Sequence, residues 1–152
     1  MREKAVIEKA QQIIKTKTAD TNKWSGVTLS LLNSEGYPTT SSISIAKAND
    51  LHELTFTVGT NSNKANRIKE CNRASVCIFD DNFEQGSYYN ITLVGDIEII
   101  TDPEIKKANW YDGLQEHFPD GASDPNYCVL KFVTKHYNLW FYEEGGEVRG
   151  SF

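Results

Sequence analysis

The sequence predicts an α+β fold in which a small, mostly antiparallel β-barrel is flanked by helices. Many short segments carry alternating or β-branched residues and are separated by turn residues, which is typical of antiparallel strands. Three other segments carry apolar residues at helical spacing or residues that cap helices. The chain has 152 residues, of which 11% are aromatic, enough to bury a substantial core. We therefore expect a single domain over residues 1–152.

The three predicted helices are recognised from their apolar spacing and their capping residues. The first is amphipathic and is expected to cover the sheet, with apolar positions at Val6, Ile7, Ala10, Ile13 and Ile14. The second begins after Asn61 or Ser62, since either short polar side chain can cap a first turn. The third begins at Asp102–Glu104, where a capping Asp precedes a proline and an acid, and is predicted to extend to about His117.

The predicted strands are separated by turn-forming segments such as Asn33–Pro38. Gly95 lies inside the longest predicted strand, where a glycine usually marks a bulge or a bend. The strands are predicted over Gly26–Leu32, Thr39–Lys47, Thr55–Val58, a segment ending at Asp80, Tyr88–Thr101, Tyr127–Thr134 and Tyr137–Tyr142.

A glycine turn between the Thr55–Val58 strand and the second helix is the first candidate for a binding site. Gly59 ends the strand, and the helix that follows carries Lys64 and Arg67 in or near its first turn. A helix N-terminus favours an anion, because its free N–H groups and its dipole point outwards. The same residues also suit an ordinary capped helix with a solvated cationic face. The local sequence leaves both interpretations open.

Composition excludes several classes of function. A net charge of -5 and a pI near 5.2 argue against general nucleic-acid binding, which needs a basic surface. No apolar run approaches the ~20 residues that span a bilayer, and the first residues lack the features of a secretory signal. We therefore expect a cytoplasmic protein without a membrane partner.

Motifs for metal binding and for nucleophilic catalysis are also missing from the sequence. The three cysteines, Cys71, Cys77 and Cys128, have no C-x-x-C spacing and are predicted to be buried thiols. His52, His117 and His136 are scattered and are predicted to lie on the surface. No nucleophile elbow and no phosphate-loop motif occurs.

Several motifs together resemble the FMN-binding split-barrel family related to pyridoxamine 5'-phosphate oxidase. The resemblance covers about Trp24 to Tyr142 and is nearest to the general stress protein branch. The motifs are the turn with Ser62 and Lys64, the Asn72–Ala74 segment that ends the helix, Val94–Asp96, the phrase FPDGASDPNY over Phe118–Tyr127, and Tyr137–Trp140.

The resemblance implies a set of cofactor contacts. The flavin phosphate would be held by Ser62 and Lys64, with Asn63 beside them where oxidases of the family often have Arg. Asn90 matches a glutamine that reaches the cofactor across a dimer interface, and Trp140 matches an aromatic near the flavin. Ser42, Ser44 and Lys47 would face the ring and the ribityl chain, with Thr57 and Val58 beneath the ring; at Ser42 the oxidases carry Arg.

The function implied is that of an FMN-binding homodimer, a flavin-dependent oxidoreductase whose small-molecule redox substrate the sequence does not specify. One alternative is a protein that holds flavin or haem for storage or sensing without turnover. A weaker alternative is an interaction module that has lost its ligand. Efficient pyridoxamine 5'-phosphate oxidation is not expected, because the end of the chain offers Arg149 alone among Glu143, Glu144 and Glu147.

Overall fold

The computed structural model describes residues 2–20 and 23–152. Positions 21 and 22, part of the polar connection predicted after the first helix, lie outside the described residues. In the described part of the chain, four short 3-10 helices accompany the main elements, at Phe83–Gln85, Asp112–Glu116, Gly121–Ser123 and Tyr142–Glu144. The main elements are α1 (Arg2–Lys17), β1 (Gly26–Leu32), β2 (Pro38–Ser44), β3 (Lys47–Asn49), β4 (Glu53–Gly59), α2 (Asn63–Glu70), β5 (Arg73–Asn82), β6 (Ser87–Ile100), α3 (Pro103–Ala108), β7 (Tyr127–Phe141) and β8 (Glu147–Ser151).

The eight strands form one antiparallel sheet in the order β2-β1-β5-β6-β7-β4-β3, with β8 paired to β7. The outermost strands of this order, β2 and β3, are consecutive along the chain. Between them, the N–H of Ile45 donates to the carbonyl of Ser25 (3.2 Å) and the N–H of Ala46 donates to that of Thr55 (2.8 Å). The chain therefore passes from one edge of the sheet to the other and closes it into a barrel. The prediction of a single strand over Thr39–Lys47 is wrong, because this segment belongs to two strands, β2 and β3, which pair with different neighbours.

The barrel interior is filled by the inward residues of alternating strands. Leu29, Leu54, Phe56, Leu93 and Phe132 are completely buried there. One helix adds to this core through Val6, Ala10 and Ile14 of α1, and another through Ile68 of α2. The predicted α+β barrel with flanking helices is confirmed, and so is the amphipathic helix that covers the sheet.

The two longest strands, β6 and β7, extend beyond the barrel. The first half of β7 pairs with β4 and its second half pairs with β8, while β6 runs beside both halves. We call the outer part, Ser87–Val94 with His136–Phe141, the arm. The register shifts between Val94 and Gly95, which confirms the predicted bulge. A side chain at Gly95 would collide with the backbone of Val133, so only glycine fits the bulge.

Two predictions for the last third of the chain are wrong. The two closing strands are one strand, β7, because β6 provides partners on both sides of the bulge; β8 was not predicted. The third helix ends at Ala108 instead of near His117. Its cap on Asp102 is present, but the Asn109 side chain donates to the carbonyl of Ile105 (2.9 Å) and accepts from the Thr55 hydroxyl (2.6 Å). These bonds compete with continuation of the helix.

Candidate functional site

The turn before α2 has the structure that an anion site requires. Ser62 is the N-cap: its Oγ accepts from the N–H of Ala65 (3.2 Å), and its own N–H donates to the carbonyl of Gly59 (3.0 Å). The first helical hydrogen bond runs from Asn66 to Ser62. The N–H groups of Asn63 and Lys64 precede that bond and have no acceptor within the helix. These two donors and the Ser62 hydroxyl are available to a ligand.

Three cations surround this turn, but they differ in their contacts. Lys64 is half-buried and forms no ion pair among the described residues. Arg67 donates from Nη1 to the hydroxyl of Thr39 (2.9 Å) and so joins α2 to β2. Lys69, which the sequence did not single out, lies with Nζ 3.5 Å from the carbonyl of Thr60. The turn is therefore cationic, and among the described residues Lys64 differs from the other two cations in having no side-chain hydrogen bond.

The loop after α3 holds the turn in place. Thr60 donates from its N–H to the carbonyl of Asn126 (2.7 Å) and from its hydroxyl to that of Pro125 (3.0 Å). The loop is in turn anchored by Lys106, which is only 7% exposed and donates from Nζ to the carbonyl of Asp124 (2.9 Å). The carboxylate of Asp124 accepts from the N–H of Asn126 (2.9 Å). Sequence reasoning missed Thr60, Lys106 and Asp124, because their partners are remote in the chain.

The predicted strand contacts lie near the point where β2 leads into β3. Ser42 is exposed, and Ser44 shares its face of β2 and accepts from the N–H of Ser25 (2.9 Å). Lys47 is exposed at the start of β3. We call these residues and those of the α2 turn the barrel set; it comprises Ser42, Ser44, Lys47, Thr57, Val58, Ser62, Asn63 and Lys64.

Thr57 and Val58 belong to the barrel set but point to opposite faces of β4, as consecutive strand residues must. Val58 packs against the barrel core. Their side chains therefore cannot both lie beneath one ring, as the resemblance implied, although the backbone of β4 can contact a ligand at both positions.

The two remaining predicted contacts, Asn90 and Trp140, form a register pair on the arm. They line a cavity of about 390 Å³, which we call the arm cavity; Phe79, Asp80, Asp81 and Tyr88 also line it. Trp140 packs edge-on against Tyr88, with ring centroids 5.1 Å apart at 80°.

The side chain of Asn90 is held in one orientation. Its Oδ1 accepts from the thiol of Cys77 (3.2 Å) and from the hydroxyl of Thr92 (3.1 Å). Burial raises the pKa of Cys77, so the sulfur remains a protonated donor at neutral pH. With both donors on the oxygen, the Asn90 amide N–H₂ group is left to donate into the cavity.

The α2 turn and the arm cavity lie at opposite ends of β7. Gly59, just before the α2 turn, pairs with Tyr127 at the start of that strand, whereas Asn90 pairs with Trp140 near its end. Between Tyr127 and Trp140 the strand rises about 40 Å, at about 3.3 Å per residue. One chain therefore does not bring all the predicted contacts together.

The acidic end of the chain is arranged differently from the expectation. Glu143 and Glu144 both form ion pairs with Lys9 of α1, at 3.3 and 2.6 Å. Glu147 lines the arm cavity and pairs with Arg149 at 2.6 Å. Of the three glutamates, only Glu147 faces this cavity.

Other kinds of site find no support in the part of the chain that the structure describes. Residues 2–20 and 23–152 contain no group of three or more His, Cys, Asp or Glu side chains able to hold a metal ion. Within the same residues, no helix is long and apolar enough to cross a membrane. His52, His117 and His136 are exposed, as predicted.

Comparison with known proteins identifies the family. A family model described as pyridoxamine 5'-phosphate oxidase like matches residues 12–149. The chain belongs to this family, which confirms the resemblance drawn from the sequence. Comparison with curated protein sequences found no match.

Solved structures share the fold at low sequence identity. A protein from Clostridium acetobutylicum, related to general stress protein 26 of B. subtilis, superposes with a TM-score of 0.75 at 24% identity, covering 98% of this chain and 95% of that one. A pyridoxamine 5'-phosphate oxidase-related, FMN binding protein from Nostoc punctiforme gives a TM-score of 0.60 at 16% identity and coverages of 95% and 85%. A heme binding protein from Mycobacterium smegmatis gives a TM-score of 0.69 at 19% identity. The match covers 96% of this chain and 57% of the Mycobacterium smegmatis chain. These likenesses confirm the split-barrel fold.

Proposed function

We propose that this protein is a homodimeric FMN-binding oxidoreductase in which each flavin lies between the barrel set of one chain and the arm cavity of the other. The family and the Nostoc FMN binding protein support a flavin. The observation that carries the proposal is the α2 turn, which combines the free N–H groups of Asn63 and Lys64, the Ser62 hydroxyl and the cationic side chain of Lys64 within one helix start. Such a group of donors suits a phosphate monoester.

The position of the arm supports the two-chain arrangement. A flavin whose phosphate lies at Ser62 and Lys64 would be remote from Asn90 and Trp140 of the same chain, because β7 separates them by about 40 Å of strand. A twofold-related copy would instead bring its own arm to the barrel set, as an isologous dimer requires. The exposed aromatic residues on the arm and next to it, Tyr88, Phe79, Phe83 and Tyr142, would then be covered.

The chemistry of this site would be that of the cofactor. Bound flavin supplies hydride or electron transfer, and the chain's own residues bind and orient it. Asn90 would donate from its amide to a ring carbonyl, and Lys47 would place a positive charge where negative charge develops on reduction. Ser42 and Ser44 would contact the ribityl chain or the ring edge. Efficient oxidation of pyridoxamine 5'-phosphate is not part of the proposal, since the arm cavity is lined by carboxylates and, among the residues that the structure describes, by no cationic side chain.

A second candidate is the binding of haem or flavin without turnover, and the Mycobacterium smegmatis heme binding protein is the observation that favours it. The absorption spectrum of freshly purified protein distinguishes haem from flavin directly. If the protein holds flavin, reduction of that flavin by a nicotinamide cofactor would separate an oxidoreductase from a storage protein.

The phosphate contact is tested by comparing FMN with riboflavin, which has the same ring but no phosphate. A charge-assisted hydrogen bond contributes about 1.5 to 3 kcal/mol, so Lys64→Ala should weaken FMN about tenfold to a hundredfold. Riboflavin affinity should stay unchanged, and Lys107→Ala, at an exposed lysine of α3, serves as the matched control. Equal losses for both ligands in Lys64→Ala would remove Lys64 from the phosphate site.

A further inference from the structure

Two side chains on the arm and the strand beside it fix the direction of a third. Cys77 of β5 and Thr92 of β6 are register partners, and Asn90 lies two positions before Thr92, on the same face of β6. The Cys77 thiol and the Thr92 hydroxyl both donate to Asn90 Oδ1, at 3.2 and 3.1 Å. We call Cys77 and Thr92 the amide clamp.

The amide clamp distinguishes the two ends of the Asn90 amide. Burial raises the pKa of Cys77, so the sulfur keeps its proton at neutral pH and remains a donor. An amide turned end for end would direct its N–H₂ group at the sulfur, which is a weak acceptor, and would lose the bond that the thiol donates. The clamp therefore favours the orientation in which the N–H₂ group of the exposed Asn90 faces the arm cavity.

The direction of this amide decides which form of a flavin it would favour. Reduction of FMN by two electrons and one proton leaves a negative charge spread over the ring nitrogens and carbonyl oxygens. A donor at a ring carbonyl binds the charged, reduced ring more strongly than the neutral, oxidised ring, because charge-assisted hydrogen bonds are about twice as strong. An amide turned end for end would present its oxygen to that charge and repel it.

We propose that Cys77 and Thr92 are positioning residues that act through Asn90 and make the bound flavin easier to reduce. Neither residue needs to touch the flavin, since the bonds from both end on Asn90 Oδ1. The inference rests on the proposed function, in which Asn90 contacts a flavin held by the barrel set of the partner chain. It gives a free thiol a role that needs neither a disulfide nor a thiolate.

The test measures the reduction potential of bound FMN, by slow anaerobic reduction of the full chain in the presence of a reference dye. Cys77→Ala/Thr92→Val removes both donors and keeps the branched shape of Thr92. The affinity for reduced FMN, relative to that for oxidised FMN, should fall about tenfold. A tenfold fall lowers the potential by about 30 mV for a two-electron couple.

Two further variants separate positioning from structural damage. Cys77→Ser/Thr92→Ser keeps a hydroxyl donor at both positions and should retain the potential of the unmodified protein. Asn90→Leu should lower the potential by itself. When Cys77→Ala/Thr92→Val is added to Asn90→Leu, the affinity ratio should change by less than about twofold, because the group through which the clamp acts is gone. Urea denaturation measures any loss of stability separately.

The thiol hydrogen bond is observed without flavin, by infrared spectroscopy. The S–H stretching band of Cys77 is the one lost in Cys77→Ala. It should move to higher wavenumber in Asn90→Leu, because the thiol has lost its acceptor. It should stay in place in Trp140→Leu, which alters the same cavity but leaves the bond intact.

An unchanged potential in Cys77→Ala/Thr92→Val would overturn the inference. So would failure of the serine variant to retain the potential, an undiminished effect of the clamp in the Asn90→Leu background, or an S–H band that does not respond to Asn90→Leu. A protein that binds FMN and gives any of these results contradicts this inference alone. A protein that takes up no FMN contradicts the proposed function, and the inference falls with it.

Discussion

The α2 turn and the arm cavity are built in opposite ways. The turn lies within one continuous stretch, Gly59 to Arg67, and presents N–H groups, a hydroxyl, an ammonium group and a guanidinium group. The arm cavity is assembled from β5, β6, β7 and β8, and presents aromatic rings and carboxylates. One region is suited to a phosphate, and the other to a planar group without negative charge.

This difference teaches that neither region forms a complete site for a nucleotide cofactor. FMN carries a dianionic phosphate at one end and a planar ring at the other, which are the two chemistries that the chain keeps apart along β7. Under the proposed function, a site that uses both would take them from two chains. The predictions below test this division.

The largest expected effect is a difference in stability between a variant in the barrel core and a variant beside the arm cavity. Phe56→Ala removes a side chain that is 0% exposed in the barrel, and should cost about 3 to 5 kcal/mol of the free energy of unfolding. Phe79→Ala, at a ring that is 54% exposed beside the arm cavity, should cost less than about 1 kcal/mol. Urea denaturation of both variants measures the difference. A large loss for Phe79→Ala at dilutions where only monomers exist would show that the arm belongs to the core.

An intermediate effect tests whether the α2 turn depends on the loop that holds it. Lys106→Met keeps most of the side-chain volume but leaves the carbonyl of Asp124 without its donor, which should cost about 1 to 3 kcal/mol. FMN affinity should fall although Lys106 does not belong to the barrel set, whereas Lys107→Met should change neither quantity. Thermal denaturation and FMN titration check this. Full FMN affinity in a destabilised Lys106→Met protein would indicate that the turn keeps its shape alone.

The smallest effect concerns the ring end of the cofactor. Trp140→Leu removes an aromatic partner, worth about 0.5 to 1.5 kcal/mol beyond burial, so FMN and riboflavin should both weaken about threefold to tenfold. Trp24→Leu, at a tryptophan that is 70% exposed outside the arm cavity, is the control. Fluorescence titration with both ligands measures the ratio. A loss confined to FMN would place Trp140 at the phosphate instead.

The parts that could be predicted from the sequence are those determined by neighbouring residues. The sequence predicts Asp102 as a cap and narrows the other cap to Asn61 or Ser62, because capping needs only the residue and the next three. Gly95 marked the bulge because a glycine inside a strand has few other uses.

The parts that could not be predicted depend on pairing between remote segments. Nothing local indicates that the chain between Ser44 and Lys47 crosses from one edge of the sheet to the other. Glu147–Ser151 becomes a strand only because β7 offers it an edge. From the sequence, Lys106 would be expected on the surface, and its burial follows from the loop that folds over it. Asp80 and Asp81 become part of a cavity only when four strands meet.

The central claim, that one flavin uses the turn of one chain and the arm of another, is tested most directly by mixing two defective proteins. One carries Ser62→Ala/Lys64→Ala and the other Asn90→Leu/Trp140→Leu, and each alone should bind FMN weakly. After the two are unfolded together and refolded, mixed dimers contain one intact site each. FMN titration should then show about a quarter of all sites at the original affinity, since half of randomly formed dimers are mixed. No recovery of tight FMN binding in refolded, dimeric mixtures would contradict the account.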